Sequence, residues 1–556
     1  MQYKLSVLIP ARQEEWLART VQDIIEHKND ETEIIIGCDG NWPEPGIPDH
    51  EDVTIVYYPE SIGQRAMQNQ LCKISKAKYV MKLDAHCTVD QDFDKKMIEA
   101  FEKSGDNVVI VPIMRNLHVF DLVCPDGHRR YQSPDGPCKE CGKETYKEVM
   151  WIPKTSPQSK SYSFDSSPHF QYFNDYCKRP SFKKDLEETS LTESMSIQGS
   201  CFMMSRDKYW ELDICDESFG SWGSQGVEIA SKMWCSGGKV LINHNTFYSH
   251  CFRTQGSTFG FPYPQSGKQV NHAKQYAKKI FFEERWPKAI RPVSWLVERF
   301  WPVTYWKDED LANLKEMEKK VWPTKGMIYF TDNQLKLSIA HTVQNQLLKI
   351  SKEKNIPIVS ASLKPMEKMG KNIHLKLERG VLTMFKQILA ALEASTADVV
   401  YFTEHDCLYN LTTFDFVPPR KDTFYYNLNV IKVDVETGKT LKVDVCKQVS
   451  GICVYRETAV KHYRERVKYI EENGYNRNMG YEPGTHGRIK WENDYKSGDW
   501  ISEIPMLDLR HSNNLTPNRW KQEQFRDKRN CKGWTEGDIK DIEGCDINGL
   551  SGIIKK

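Results

Sequence analysis

The sequence lacks three features that would place the chain in a specialised class of protein. It contains no run of 18 uninterrupted apolar residues, so a membrane-spanning helix is not expected. Its first ten residues, MQYKLSVLIP, have a β-strand pattern, with neither the basic segment nor the long apolar core of a secretory signal. Neither sign of charge is in excess, since 77 basic side chains stand against 76 acidic ones. We therefore expect a cytoplasmic protein with no membrane partner and no global affinity for nucleic acid.

Cysteine, by contrast, is plentiful. The chain has 16 cysteines among 556 residues, and in a reducing compartment most of them are expected to be free thiols. Clustered cysteines then indicate metal binding rather than disulfides. The composition, with 39% hydrophobic and 28% charged residues, is that of a folded protein, and the length predicts roughly two to four domains.

Strand and helix patterns alternate through the first 110 residues. The apolar runs LSVLIP, TEIIIGCDG, VTIVYY and KYVMKL are separated by segments of helical length or by turns. This alternation predicts the α/β class, with a mostly parallel sheet covered by helices.

The pattern along the chain predicts three parts. The first domain spans 1–280 and contains an irregular insertion at about 114–195, rich in Pro, Ser, Gly and aromatic residues. A connector rich in Trp and Pro follows at 281–325, and it ends in a charged helix. A second α/β pattern begins with GMIYFTDN and defines a second domain at 326–556.

The stretch KLDAHCTVD places Asp84 and His86 directly after a buried strand. Residues two apart on an extended chain face the same side, so both side chains can converge on one ion. Ligands of open α/β sheets also bind at such strand ends. A polar turn that leaves the strand is the alternative interpretation.

Four segments in order resemble the GT-A glycosyltransferases of family 2 and the polypeptide N-acetylgalactosaminyltransferases. LSVLIPARQEE resembles the first strand and nucleotide loop, IGCDG the second strand, and IGQRAMQNQLCKISKAKYVMKLDAHC the path to an Asp-x-His metal motif. DESFGSWGSQGVEIASKMWCSGGKV and the later FYSHCFR resemble the acceptor-side motif and its downstream His. The resemblance covers about the first 280 residues and implies a nucleotide-sugar donor, for which UDP is the expected nucleotide.

The resemblance also implies the donor-side residues. Asp84, His86 and His250 would hold Mn²⁺, or Mg²⁺, which neutralises the charge of a departing diphosphate. Two imidazoles favour Mn²⁺. The positions matched to nucleotide binding are Pro10, Ala11, Arg12, Glu14, Asp39 and Arg65. For Asp39 a turn-forming role is the alternative, and for Arg65 a solvated position on a helix.

The acceptor-side motif departs from the family pattern. Trp222 and Gly223 match, whereas Gln225 and Gly226 stand where Glu and Asn are usual. Glu228 keeps its acid and is the candidate base for an inverting reaction, which must deprotonate the acceptor hydroxyl. The retaining N-acetylgalactosaminyl enzymes need no such base, so both stereochemical outcomes stay open.

A cysteine cluster lies inside the insertion, in VCPDGHRRYQSPDGPCKECGKET. A Cys-x-x-Cys pair with two further soft ligands nearby predicts a closed, structural zinc site rather than a catalytic one. Free thiols are the alternative. The predicted zinc ligands are Cys124, His128, Cys138 and Cys141.

The second half repeats the layout with a weaker match. TEHDCLY follows an apolar strand, and LDLRHSNN supplies a later histidine. This resembles a second, divergent GT-A module with Glu404, Asp406 and His511 as metal ligands, and an inactive scaffold is the alternative.

Taken together, the sequence predicts a metal-dependent glycosyltransferase with two GT-A modules, the second of which adds another sugar if it is active. The acceptor is predicted to be polymeric: a hydroxylated base in phage-type DNA, a glycan or a peptide. Two rival functions compete with this prediction. One is an inactive GT-A scaffold whose zinc loop binds nucleic acid or partners, which the balanced charge disfavours. The other is a nucleotidyltransferase, which the lack of a Gly-rich phosphate loop after the first strand disfavours.

Overall fold

The computed structural model describes residues 3–133, 135–252, 267–486, 488–514, 518–525 and 528–542. The chain divides into two compact units, Met1–Val321 and Trp322–Lys556. Residues 281–321, which fall within the predicted connector, therefore belong to the first unit. Trp306 donates its indole N–H to the carbonyl of Phe164, 2.7 Å away, and Arg299 pairs with Glu193 at 2.9 Å.

The first unit is built from strands that are mostly buried and helices that bury one face. Its strands are β1 (Leu5–Ala11), β2 (Thr32–Asp39), β3 (Val53–Tyr58), β4 (Tyr79–Leu83), β5 (Cys87–Val89), β6 (Val108–Val123), β7 (Arg129–Tyr131), β8 (Tyr146–Pro157), β9 (Tyr162–Phe164), β10 (Phe170–Tyr172), β11 (Leu191–Glu193), β12 (Cys201–Ser205) and β13 (Lys239–His250). Its helices are α1 (Leu17–His27), α2 (Gln64–Ile74), α3 (Phe93–Ser104), α4 (Pro180–Thr189), α5 (Arg206–Glu211), α6 (Gln225–Cys235), α7 (Gly267–Lys278), α8 (Val293–Arg299) and α9 (Asp308–Glu318).

The main sheet of the first unit has the path β3–β2–β1–β4–β12–β6–β13–β11. The first four strands are parallel, as the alternating pattern predicts, and β12 then runs antiparallel to both β4 and β6. The β1 strand is buried along its whole length, as expected for a strand covered by helices on both faces. Because β1 and β4 are neighbours and run parallel, their carboxyl ends lie at the same edge of the sheet.

The predicted insertion begins as regular structure. β6 continues past residue 114 as far as Val123, and β8 pairs antiparallel with this extension. The extension is held by its own small core, in which Trp16 packs against Phe120 and Trp151. The cysteine cluster therefore lies at the end of a packed hairpin.

The second unit is also mixed α/β. Its strands are β14 (Lys325–Thr331), β15 (Ile358–Ser362), β16 (Lys371–His374), β17 (Val399–Glu404), β18 (Cys407–Leu408), β19 (Thr423–Asn427), β20 (Val430–Asp434), β21 (Lys439–Lys442), β22 (Ile452–Tyr455), β23 (Lys496–Trp500), β24 (Met506–Arg510) and β25 (Thr535–Asp538). Its helices are α10 (Leu337–Lys354), α11 (Val381–Ala394) and α12 (Arg456–Asn473).

The larger sheet of the second unit has the order β16–β15–β14–β17–β22–β19–β23. Its first four strands are parallel and β22 is antiparallel to β17. Helices α11 and α12 cover this sheet through a continuous apolar cluster that includes Phe385, Phe402 and Tyr463. The α/β prediction is confirmed for the chain. Among the described residues, no helix combines the length and hydropathy needed to cross a bilayer.

Candidate active site and metal centres

The end of β4 and the end of β13 bring three predicted ligands together. Strand β5 pairs antiparallel with the last residues of β13, which sets Cys87 opposite His250. His250 Nε2 then lies 3.1 Å from Asp84 Oδ2 and 3.1 Å from His86 Nε2. One ligand atom from each of the three residues falls within 4.8 Å of the others. This spacing suits a single divalent cation.

Neighbouring groups fix the protonation of this cluster. Glu14 Oε2 lies 3.3 Å from His86 Nδ1, so the carboxylate accepts the Nδ1 proton and leaves Nε2 as a lone-pair donor. Burial lowers the pKa of His250 to about 4, which keeps its ring neutral. Burial opposes ionisation of Asp84, but Lys82 and the His250 ring hold the pKa of that carboxyl below its ordinary value. The cluster therefore presents one carboxylate and two imidazole rings to the space between them.

These side chains face a cavity of about 480 Å³. Pro10 at the end of β1 lines one side, and Trp222 and Gln225 from the acceptor-side motif line another. Gly226 also lines it, and a Cβ at that position would lie 2.0 Å from the carbonyl oxygen of Ile197. This close approach explains glycine at a position where the resembled pattern has Asn.

Two residues predicted to contact the nucleotide, Asp39 and Arg12, form hydrogen bonds within the protein. Asp39 is fully buried and accepts hydrogen bonds from the Ser61 hydroxyl and from the backbone N–H groups of Ile62 and Gly63, at 2.7 to 3.1 Å. Arg12 donates to the same Ser61 hydroxyl at 2.9 Å. Both residues thus order the turn that precedes α2. Ala11 is a buried strand residue next to Pro10.

Glu228 and Arg65 form a buried network. Glu228 is 0% exposed, and its carboxylate contacts Arg65, accepts a hydrogen bond from Lys232 at 2.8 Å and another from the backbone N–H of Asp216 at 2.9 Å. Arg65 also donates to the carbonyl of Gly223 at 2.6 Å. The structure does not bring Glu228 or Arg65 to the cavity wall, and contacts within the protein occupy the Glu228 carboxylate.

Residues 6–132 match the Glycosyl transferase family 2 domain. The matched residues lie within the first unit. The match spans β1 to β7 and includes the turn that carries Asp84 and His86. The predicted resemblance to this family is confirmed, and the match covers the first three of the four segments on which it rests.

Curated relatives agree with this assignment over part of the chain. The chain is 24% identical over 223 residues to a putative polypeptide N-acetylgalactosaminyltransferase 13 of Drosophila melanogaster, covering 40% of this chain and 33% of that protein. It is 33% identical over 86 residues to a probable N-acetylgalactosaminyltransferase 6 of Caenorhabditis elegans, covering 16% and 14%. The chain thus spans a third or less of the length of these relatives.

Among solved structures, the crystal structure of GalNAc-T7 with UDP, GalNAc and Mn²⁺ matches with 18% identity and a TM-score of 0.37. The match covers 57% of this chain and 54% of that one.

The cysteine cluster at the end of the β6–β8 hairpin has the geometry of a tetrahedral site. Cys124 Sγ lies 3.5 Å from His128 Nδ1 and 3.6 Å from Cys141 Sγ, and Cys138 Sγ lies 3.7 Å from the same nitrogen. A zinc ion with Zn–S bonds of about 2.3 Å gives ligand separations of about 3.5 to 3.8 Å. The four residues predicted from their spacing are therefore brought together.

Two short turns shape this cluster. Gly127 donates to the carbonyl of Cys124 and Gly142 to that of Cys138, each at 2.9 Å. Both glycines have positive φ, +82° and +72°, which a side chain would oppose. Each turn folds the chain back beside its cysteine, so the Cys–Pro–Asp–Gly and Cys–Lys–Glu–Cys–Gly stretches are locally suited to present thiolates.

The second unit places acidic residues at the corresponding strand end. Glu404 is the last residue of β17, Asp406 lies in the turn that follows, and both line a cavity of about 170 Å³ together with Asp508. Ligand atoms of Glu404, Asp406 and Cys407 lie within 4.8 Å of one another. Burial and the neighbouring Asp406 charge raise the pKa of Glu404 well above its ordinary value, and burial also raises that of Asp508. His511 Nε2 lies 3.6 Å from Asp406 Oδ2.

Sequence reasoning missed three residues of these sites. Lys82 contacts Asp84 and donates to the carbonyl of Gly199 at 2.8 Å. A lysine in the apolar strand YVMKL was the signal that could have indicated this buried charge pair. His169 lines the first cavity from the β9–β10 turn, which lies in the insertion and had no pattern to indicate it. Asp508 lies between two leucines in the strand MLDLR, and its spacing from other polar residues does not match a known ligand motif.

Proposed function

We propose that the first unit transfers a sugar from a nucleotide-sugar donor, with a divalent cation held by Asp84, His86 and His250. The observation that carries the proposal is the convergence of these three ligands in a cavity within a glycosyl transferase family 2 domain. When bound, the cation would act as a Lewis acid for the departing diphosphate. Because two of the three ligands are imidazoles, we expect Mn²⁺ to be preferred over Mg²⁺.

The protein's own residues prepare this site before any donor arrives. Glu14 holds His86 in the tautomer that offers Nε2, and Lys82 contacts Asp84 Oδ1, the oxygen other than the one nearest His250. Both contacts fix ring or carboxylate orientation, which sets how precisely a cation and its diphosphate are placed. A UDP-sugar is the donor we propose, in keeping with the N-acetylgalactosaminyltransferase relatives.

For the acceptor we propose a hydroxyl of a peptide or a glycan. The cavity is lined by Trp222, Phe170 and Phe252 and by the polar Gln225. Aromatic faces with a few polar groups suit a sugar ring or an extended peptide better than a polyanion. The predicted DNA acceptor lacks any such support, since the described wall of the cavity offers only Lys82 and Lys274 as permanent cations.

For the stereochemistry we propose retention of the anomeric configuration. Among the described residues that line the cavity, the carboxylates are Glu14 and Asp84, and both are engaged by the metal cluster. Glu228 is buried between two cations. An inverting reaction would need a base at the acceptor, and the described lining offers no uncommitted carboxylate for that task.

We propose that Cys124, His128, Cys138 and Cys141 hold a structural zinc ion. Their spacing and the two glycine turns support a closed four-ligand site, which orders the end of the hairpin.

A second candidate function concerns the second unit, which we propose to be a divergent GT-A-type module. Its order of parallel and antiparallel strands and its acidic strand end support this. If the module is active, it would add a further sugar next to the first.

The decisive experiment incubates the protein with a panel of UDP- and GDP-sugars and Mn²⁺ and measures donor hydrolysis. We expect one UDP-sugar to be hydrolysed, and Asp84→Asn to slow the reaction on the order of 1,000-fold while its circular dichroism spectrum stays unchanged. Peptide, glycan and hydroxymethylated DNA acceptors are then compared for product by mass spectrometry. A complete lack of turnover with every donor would instead support an inactive scaffold.

A further inference from the structure

The cavity of the first unit is lined by a half-buried lysine, Lys274 of helix α7. Within the residues that the structure describes, Lys274 has neither an ion pair nor a hydrogen bond. The other lysine of the described lining is different, because Lys82 is 1% exposed, contacts Asp84 and donates to the carbonyl of Gly199 at 2.8 Å. A partly buried charge is costly unless an opposite charge compensates it. Of these two lysines, Lys274 is the one whose charge is left for a ligand.

Helix α7 is held against the acceptor-side motif, so the position of Lys274 is set by packing. The Gln269 amide donates to the Ser221 hydroxyl at 3.2 Å. Gly223 has a φ of +109°, and a Cβ at that position would lie 3.1 Å from the Ala273 Cβ. Glycine therefore permits the close approach of the helix to the motif. The helix forms a fixed wall of the cavity.

The face that α7 turns to the cavity carries Val270 and Lys274, which are one helical turn apart. A later lysine of the same helix has another environment. Lys278 is exposed, lies 4.0 Å from Glu283 and does not belong to the described lining. The helix thus directs one particular lysine to the cavity, and Lys278 offers a matched comparison.

The charge of this lysine indicates which substrate it contacts. The described carboxylates of the lining are Glu14 and Asp84, and both are engaged by the metal cluster. The partner of Lys274 is therefore an anion brought by a substrate. Every nucleotide-sugar donor carries phosphate, whereas an acceptor hydroxyl on a peptide or glycan needs no charge. A fixed cation also stabilises the negative charge that a diphosphate gains when its sugar departs.

We propose that Lys274 binds the diphosphate of the nucleotide-sugar donor. Its ammonium group donates hydrogen bonds to phosphate oxygens and stays protonated. The inference rests on the proposed function, since its ligand is the proposed donor. It adds a contact that the metal cluster does not supply, from a helix that lies outside the residues matched to the family.

The test measures nucleotide binding by the full-length protein in the presence of Mn²⁺. Isothermal titration calorimetry gives the affinity for UDP, and ligand-observed nuclear magnetic resonance gives that for uridine, which lacks the diphosphate. We expect Lys274→Met to weaken UDP binding about 10- to 100-fold, as for the loss of a hydrogen bond to a charged group. Uridine binding should change less than about twofold. Lys274→Arg keeps the charge and should restore most of the UDP affinity.

Lys278→Met is the control on the same helix and should bind UDP as the wild type does. The Mn²⁺ affinity without nucleotide and the thermal unfolding midpoint should be unchanged in Lys274→Met, which excludes damage to the metal cluster or the fold. Wild-type UDP affinity in Lys274→Met would overturn the proposal, as would equal losses of UDP and uridine affinity. A wild type that binds no UDP would contradict the proposed UDP-sugar donor and this contact together.

Discussion

The turns after β4 and β17 occupy the same place in two similar sheets, yet they offer a cation different atoms. The first turn and its partner strand supply one carboxylate and two imidazoles, and Glu14 sets the tautomer of one ring. The second supplies carboxylates, while the nearby His511 is turned so that its lone pair faces the backbone. Strand register thus fixes where ligands converge, and the identity of a few side chains decides which metal they suit.

The first prediction compares Asp84→Asn with Glu404→Gln and asks whether the two pockets act independently. Asp84→Asn keeps an oxygen for Lys82 but removes the charge on which the cation depends. We expect donor hydrolysis to fall on the order of 1,000-fold, as several kcal/mol of charge stabilisation are lost. Glu404→Gln is the matched change in the second unit and should leave hydrolysis by the first within about twofold. Equal losses in both variants would show that the pockets are coupled.

If both pockets transfer sugars, Asp406→Ala should give a product that is one sugar short in mass spectrometry. A complete product from Asp406→Ala would assign transfer to the first unit alone.

The next prediction asks whether Glu228 belongs to the fold or to the chemistry of the first pocket. Glu228→Gln leaves Arg65 and Lys232 as buried cations without a counter-charge, so we expect the free energy of unfolding to fall by about 3–5 kcal/mol. Urea denaturation of the variant measures this loss. Turnover per folded molecule should fall less than 10-fold. An unchanged stability with a loss of turnover above 100-fold would restore the role of base that the sequence predicted.

A further prediction, with a smaller expected effect, concerns Glu14, the carboxylate that orients His86. Glu14→Gln keeps a hydrogen-bond acceptor but removes the charge beside Nδ1, and we expect Mn²⁺ affinity at the first site to fall about 10- to 100-fold. Isothermal titration calorimetry of the protein measures the change. Glu15→Gln is the adjacent control, since Glu15 pairs with Lys147 near the surface and should leave the affinity unchanged. Equal affinities for the wild type and Glu14→Gln would remove Glu14 from the site.

The smallest effect concerns the zinc cluster, which has no counterpart among the described residues of the second unit. Elemental analysis should find about one zinc ion per chain, and Cys138→Ser should release it and lower Tm by roughly 5 °C. Donor hydrolysis should change little, because the hairpin end is separate from the metal cluster in the cavity wall. Cys177→Ser, outside the cluster, serves as the control. Protein prepared without chelator that contains no zinc would contradict this assignment.

The alternation of strands and helices and the local ligand patterns could be predicted from the amino-acid sequence, whereas the regular β6–β8 hairpin inside the insertion could not. Asp84 and His86 were identifiable because two residues at the end of an extended strand face the same side. Cys138 and Cys141 were identifiable because neighbouring residues, including Gly142, form the turn that presents both thiolates. Patterns of this kind depend on contacts within one or two turns of the chain.

Which distant residues lie next to these local patterns depends on how the chain packs. Glu228 looks like a base in its motif, but the fold buries it between Arg65 and Lys232. In the second unit, the register of β18 with β24 sets Asp508 opposite Cys407, and the Asn513 backbone N–H donates to His511 Nδ1. Burial, long-range strand register and hydrogen-bond partners arise when segments far apart in the chain pack together. The periodicity within one segment does not indicate them.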